Sequence, residues 1–225
     1  TVANQFLPRN LHDVIRWSKY ITTQSPTTTE VIRKLSSYPI TEFMVDTKNE
    51  ETRSKYESIF QMIRLRQNLQ EIGFAYHTIG NVFVSIYFPI ARSLKCRHCG
   101  TEFNAKKAPG IKFERYQFKG TCSHCGNTGF FDRIDRKSMN LKDMNIVQWD
   151  PLNIVVNNNP ITGQSEYYYS IPNEIRRRII SGDMLFLSST PWSFVEAVQK
   201  NTDYKFDSDG IYHLKIPSLT TVQLN

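Results

Sequence analysis

The sequence predicts an α+β fold, and three observations lead there. Helical hydrophobic periods crowd the first third of the chain, and short β-branched and aromatic runs fill the rest. The two kinds of signal follow one another rather than alternating as βαβ units would. The third observation is the cysteines, four in all, set in two matching clasps: Cys96-Arg97-His98-Cys99-Gly100 and Cys122-Ser123-His124-Cys125-Gly126. A chain of 225 residues with 40% hydrophobic and 12% aromatic content can fill one large core or two small ones. We expect three parts: residues 1–94, helical and ending in a strand; 95–130, an inserted ribbon around the cysteines; and 131–225, strand-rich with short helices.

The elements follow from local chemistry. Asn10 can cap free amides with Asp13 in the first turn behind it, and Leu11, Val14, Ile15, Ser18 and Ile21 then share one helical stripe. Ser25-Pro26 starts a second helix, because proline's missing N–H costs nothing at the first position; Val31, Ile32 and Leu35 form its expected buried face, and it stops before Pro39. From Asn49 to about Tyr76 there is no proline and one glycine, and Tyr56, Ile59, Phe60, Ile63, Gln67 and Gln70 keep the helical period, so one long helix is expected.

Gly80-Asn81 breaks that pattern, and Val82 to Phe88 reads as a strand. Further strands are expected at Asn145 to Trp149, Asn153 to Val156, Glu166 to Ser170 and Ile211 to Ile216. The turn-rich stretch Asn157 to Gly163 joins two of them as a hairpin. Asn173 to Ile180 and Pro191 to Gln199 read as short helices.

Two thiolates at i and i+3 can grip one ion from a tight knuckle, and a following glycine lets nearby amides turn towards sulfur. Cys96, Cys99, Cys122 and Cys125 together supply the closed tetrahedral set of a structural Zn²⁺ site, with Lys112 to Lys119 and Gly120 forming a strand into the second knuckle. A pair of disulfides lacks a secretory signal to support it, and a redox Cys-x-x-Cys is usually single and tied to a βαβ unit. An iron–sulfur cluster uses the same four ligands and stays open, to be separated by a spectrum. His98 and His124 lie inside the knuckles, where we expect them to be exposed and not ligands.

The net charge of +7 is uneven: residues 96–145 carry ten basic and five acidic side chains. Lys106, Lys107, Lys112, Arg115 and Lys119, interleaved with Phe103, Phe113, Tyr116 and Phe118, are candidate nucleic-acid contacts, although those aromatics are equally suited to packing the ribbon. Asp132, Asp135, Asp143 and Asp150 read as a salt-bridged surface beside Arg133, Arg136 and Lys137. His77 and His213 have no evident partner, and Arg176 to Arg178 read as a solvated face. No Walker loop, Rossmann fingerprint, Gly-x-Ser-x-Gly elbow or His-Glu-x-x-His occurs, so an enzyme is not expected. No apolar stretch approaches the roughly 18 residues of a membrane span. The absence of an initiating Met leads us to expect an incomplete chain.

The order of segments adds a resemblance. "LHDVIRWSKYITTQSPTTTEVIRKLSSYPI", "YESIFQMIRLRQNLQEIGFAYHTIGNVFVSIYFP", "WDPLNIVVNNNPITGQSEYYYSIP", "ISGDMLFLSSTPWSFVEAVQ" and "IYHLKIP" together resemble the N-terminal wing of tailed-bacteriophage portal proteins, over nearly the whole chain outside residues 95–130. The resemblance implies a virion protein, assembled in the host cytoplasm. It implies a homo-oligomeric ring, usually of twelve copies, that meets capsid, adaptor and terminase proteins and passes DNA, with stem, clip and crown beyond Asn225. The zinc ribbon would then be a surface insertion after Val82 to Phe88, returning at Gly129-Phe130-Phe131. The alternative is a zinc-ribbon nucleic-acid-binding accessory protein of transcription or processing.

Overall fold

Capping chemistry starts the first two helices where expected. In a computed structural model, which describes residues 10–108, 110–138 and 140–216, the Asn10 side chain accepts the Asp13 amide at 2.8 Å and opens α1 (Leu11–Gln24). Ser25 closes α1 and opens α2 (Pro26–Ser37), its hydroxyl accepting the Thr28 amide. The expected faces are only partly the buried ones. Ile15 and Ile32 are buried, but with them are Thr22 and Ser36, whereas Leu11, Val14, Ile21, Val31 and Leu35 are exposed. Small size decides this on α2, which packs on α4 where a Cβ built on Gly73 would lie 3.4 Å from that of Ser36. A small residue on each helix suits this contact, and the Ser36 hydroxyl is satisfied by the Ile32 carbonyl at 2.7 Å.

The expected long helix is jointed. It forms α3 (Glu50–Met62) and α4 (Leu65–Ile79), separated at Arg64, whose backbone is left-handed at φ 47°. A tight turn from the Arg64 amide to the Gln61 carbonyl ends α3, and the Asn68 side-chain amide donates to the freed Ile63 carbonyl at 2.7 Å. Ile63 at the joint is buried, while α3 itself has no buried residue. The stretch has neither glycine nor proline at the break, so periodicity alone ran through it.

Gly80, left-handed at φ 78°, caps α4 and turns the chain into β1 (Asn81–Tyr87). β1 is central in a three-stranded sheet between β11 (Tyr212–Lys215) and β7 (Asn145–Trp149). Val82 and Val84 pack with Ile72 of α4 to form the core of this unit. The Trp149 indole donates to the Ser85 hydroxyl at 2.8 Å, which donates to the Gly210 carbonyl at 2.6 Å. His213, expected to lack a partner, is 3.0 Å from the Asn81 side-chain oxygen and stacks on Phe83.

The chain divides into two compact units, one from within 1–86, 146–152 and 209–225, the other 87–145 with 153–208. The second unit holds β8 (Ile154–Asn158) and β9 (Ser165–Tyr169) as the expected hairpin, with β10 (Tyr204–Lys205) beyond β9. It also holds α5 (Asn173–Ile180), α6 (Met184–Leu187) and α7 (Trp192–Gln199). Its other sheet has five antiparallel strands in the order β3 (Glu102–Asn104), β2 (Ile90–Cys96), β6 (Thr128–Lys137), β5 (Gln117–Thr121), β4 (Ile111–Glu114). This sheet reaches outward from the clasps on both sides of 95–130, because the ten-residue β6 pairs with β2 from Cys96↔Phe131 to Ile90↔Lys137. The single strand expected from Lys112 to Lys119 is instead the β4–β5 hairpin, turned at Arg115 and Tyr116, both left-handed.

One buried arginine ties this sheet to the helices of its unit. Arg92 of β2, with its side chain 0% exposed, donates through Nε and Nη2 to both Asp135 oxygens at 2.7 and 2.9 Å. It donates also to the carbonyls of Leu187 and Thr190, and its guanidinium lies 5.3 Å from the centre of the Trp192 ring. Asp135, expected on a salt-bridged surface, is thus the counter-charge of a buried cation; Asp132 and Asp150 do make surface ion pairs, with Arg97 and Lys19.

Gly120 of β5 would place a Cβ 2.1 Å from the Gly110 carbonyl oxygen and 2.6 Å from the Ile111 Cα, both backbone. We expect Gly120→Ala to destabilise the second unit by about 2 kcal/mol or more, read by urea denaturation, since backbone must move to admit the methyl group. Burial raises the Asp135 carboxyl, but the hydrogen bonds and charge of Arg92, with Arg133 added, hold it below its usual value. The pair therefore contributes stability that is complete above the ordinary carboxylate range and is lost as pH falls through the depressed folded value. Asp135→Asn should cost about 3 kcal/mol at neutral pH, because it strands the arginine, and should flatten the acid limb of a stability-against-pH curve.

Candidate metal centre

The two clasps share one backbone design. In the first, the Gly100 amide donates to the Cys96 carbonyl and the Cys96 amide to the Thr101 carbonyl, each at 2.9 Å. In the second, Gly126 donates to Cys122 and Cys122 to Asn127, again at 2.9 Å. Gly100 and Gly126 adopt φ of 76° and 73°, which the turn requires and a side chain resists. The turn presents the next amide to the second sulfur of each clasp, Thr101 to Cys99 and Asn127 to Cys125. The Thr101 hydroxyl adds a contact of 3.2 Å to the Cys99 sulfur.

Strand pairing brings the clasps together. Cys96 ends β2 and Cys122 follows β5, and both strands flank β6, through Cys96↔Phe131 on one side and Thr121↔Thr128 on the other. Cys96 and Cys122 are buried and Cys99 and Cys125 partly so. All four Sγ atoms lie within 4.8 Å of one another, with Cys99–Cys122 at 3.7 Å and Cys96–Cys125 at 3.9 Å. A tetrahedron with metal–sulfur bonds of about 2.3 Å has edges of about 3.8 Å, so these four sulfurs are positioned to hold a metal ion. The separations are also far beyond the roughly 2 Å of a sulfur–sulfur bond, and the cysteines are free thiols.

Electrostatics point the same way. The Thr101 hydroxyl and amide hold the Cys99 thiol down to about 5. At Cys125 the Asn127 amide also lowers the thiol, but burial and the Cys122, Cys99 and Cys96 sulfurs outweigh it and push the group up to about 11. Crowded sulfurs cannot all ionise against one another; a divalent cation among them removes the conflict and takes up four thiolates. An ion held by all four would have no open position.

The other predicted site residues are dispersed. Lys112 and Lys119 face each other across β4 and β5. Arg115 sits at the hairpin tip, and Lys106 and Lys107 lie exposed on a 3₁₀ turn after β3, the opposite edge strand. Phe113 and Phe118 are buried against Trp192, with Tyr116 edge-on to Phe113, so these aromatics pack the sheet rather than face solvent. His98 and His124 are exposed. Sequence reasoning missed Arg92 and Trp192, which carry no motif, and Phe130, whose exposure follows only from the register of β6.

Comparison with protein-family models, with curated proteins and with solved structures gives no significant match. Among the described residues, no helix is long and apolar enough to cross a membrane.

Purified, reduced protein should carry one metal ion per chain by elemental analysis. Cys96→Ser should weaken metal binding by more than the roughly 10- to 100-fold that loss of an outer partner costs, and chelation should abolish the cooperative melting of the second unit.

Proposed function

We propose that the chain is a structural subunit of portal type, building a homo-oligomeric ring at a capsid vertex through which DNA passes, with Zn²⁺ as a folding element and no catalysis of its own. The observation that carries this reading is the element order. Two capped helices, a helical stretch broken at Arg64, a Gly-Asn-led strand, a hairpin with a Tyr-rich second strand, short helices and a last strand follow one another, an order that supports the resemblance except for the break in the expected long helix. The cysteine-bearing sheet lies in the chain between β1 and β7, which are neighbours in one sheet, as expected of an insertion. Sulfur-only ligands in tetrahedral spacing favour Zn²⁺ over hard cations, and a small sheet gains from the ion the folding energy its own burial cannot supply. Leu11, Val14, Ile21, Val31 and Leu35 are exposed in the single chain, and a neighbouring subunit would cover such a surface.

Mass photometry of the protein carrying this sequence, followed by electron-microscopic class averages, tests the reading. Closed rings of uniform copy number are expected, and a monomer persisting from nanomolar to high micromolar concentration would sink it. Zinc as the element found in stoichiometric amount is expected, and iron with a charge-transfer spectrum would replace it with a cluster.

A further inference from the structure

The outward face of the five-stranded sheet carries an arrangement that neither metal binding nor ring formation uses. Alternation places Phe113, Phe118, Phe131, Leu94 and Arg92 inward, and leaves Lys112 of β4, Lys119 of β5 and Phe130 of β6 on the other side. Register sets these three side by side, Lys112↔Lys119 and Lys119↔Phe130. Phe130 is 43% exposed. Two cations flank its ring, the Lys119 ammonium and the Arg97 guanidinium, each 5.9 Å from the centre.

Only the lysine charges of this face are unpaired. Arg97 is held by Asp132, but among the described residues neither Lys112 nor Lys119 has an ion-pair partner. Thr121 and Thr128, hydrogen-bonded to each other at 2.9 Å, extend the exposed surface beside Lys119 and Phe130. Phe130 and Arg97 also line a cleft of about 240 Å³ beside the first clasp.

We propose that this face binds single-stranded nucleic acid, with one base stacked on Phe130 and the flanking phosphates on Lys112, Lys119 and Arg97. The chemistry selects this ligand. A π-face ringed by cations fits a planar base carried on an anionic backbone, and adjacent strands space the cations along one line. A duplex hides its base faces, so it can use the cations but not the ring. An acidic polypeptide likewise meets only the charges. The inference does not rest on the portal reading, because it concerns the sheet alone and applies whether or not the chain forms rings.

The test is fluorescence anisotropy of the full metal-loaded chain with labelled dT12, U12 and a 12-base-pair duplex at several salt concentrations, with polyglutamate as competitor. Both single strands should bind more tightly than the duplex, and the ratio of dT12 to U12 reports whether the sugar is sensed. Phe130→Leu keeps an apolar strand residue and should lose roughly 10-fold in affinity for the single strands with an unchanged salt slope. Lys112→Gln with Lys119→Gln should instead flatten the slope by about 1.4 in log–log form, for two phosphate contacts on a single strand. Metal content and melting of each variant are measured first, and a variant that has lost its metal is replaced by Phe130→Val or by Lys112→Gln alone. Absence of single-strand binding, duplex binding as tight as single-strand binding, equal competition by polyglutamate, or an unaltered affinity of the Phe130 variant would each overturn the proposal. Ring assembly without such binding would overturn it while leaving the portal reading intact.

Discussion

Four sulfurs brought within 4.8 Å of one another are the constraint on which the second unit depends. Uncompensated, they resist sharing the ionised form: contacts with Thr101 lower Cys99, whereas burial and the neighbouring sulfurs raise Cys125. Compensated by a cation, they fix the ends of β2 and β5 on either side of β6, and the pairing of the whole sheet is thereby set in register. The inward aromatics then close over Trp192, and Arg92 reaches the carbonyls that end α6 and precede α7. An ion held by the clasps would thus act through strand register on helix position. Each step is local, and none requires the ion to touch substrate.

The same sheet has two unlike faces. Inward, it spends nearly all its aromatic surface on packing, which is what a small excursion needs to stay folded. Outward, Phe130 breaks that economy, and it does so where Lys112, Lys119 and Arg97 converge. Of the aromatics expected beside the lysines between the clasps, Phe113 and Phe118 are buried, and the one exposed next to Lys119 is Phe130.

Much of the architecture was legible because it rests on signals that do not depend on distant partners. Asn10, Ser25-Pro26 and Gly80 mark helix ends by their own backbone chemistry, and the cysteine spacing with Gly100 and Gly126 identifies the knuckles. What escaped reading depends on neighbours. The left-handed Arg64 and the Arg115-Tyr116 turn use residues that do not favour that conformation, so no local letter announces them. Ser36 and Thr22 are buried because another helix comes close, which a hydrophobic stripe does not register. β2 and β6 were missed because their charged residues, Arg92 and Asp135 among them, satisfy one another across the ladder and so imitate a solvated segment.

The interleaving of the two units along the chain bears on how the protein is made. β1 receives β7 and β11 as its neighbours, and the register Val84↔Tyr212 joins positions roughly 130 residues apart, a span that takes on the order of ten seconds to translate at 5–20 residues per second. One edge of β1 has no partner strand until β7 emerges at residue 149 and the other none until β11 emerges at residue 215, while every strand of the cysteine sheet has emerged by residue 137. Vectorial synthesis therefore allows the strands of the cysteine sheet to pair before β1 acquires its last neighbour, β11. Metal supply, by governing how soon the cysteine sheet closes, would set how long the aromatic side chains of that sheet are left available to chaperones.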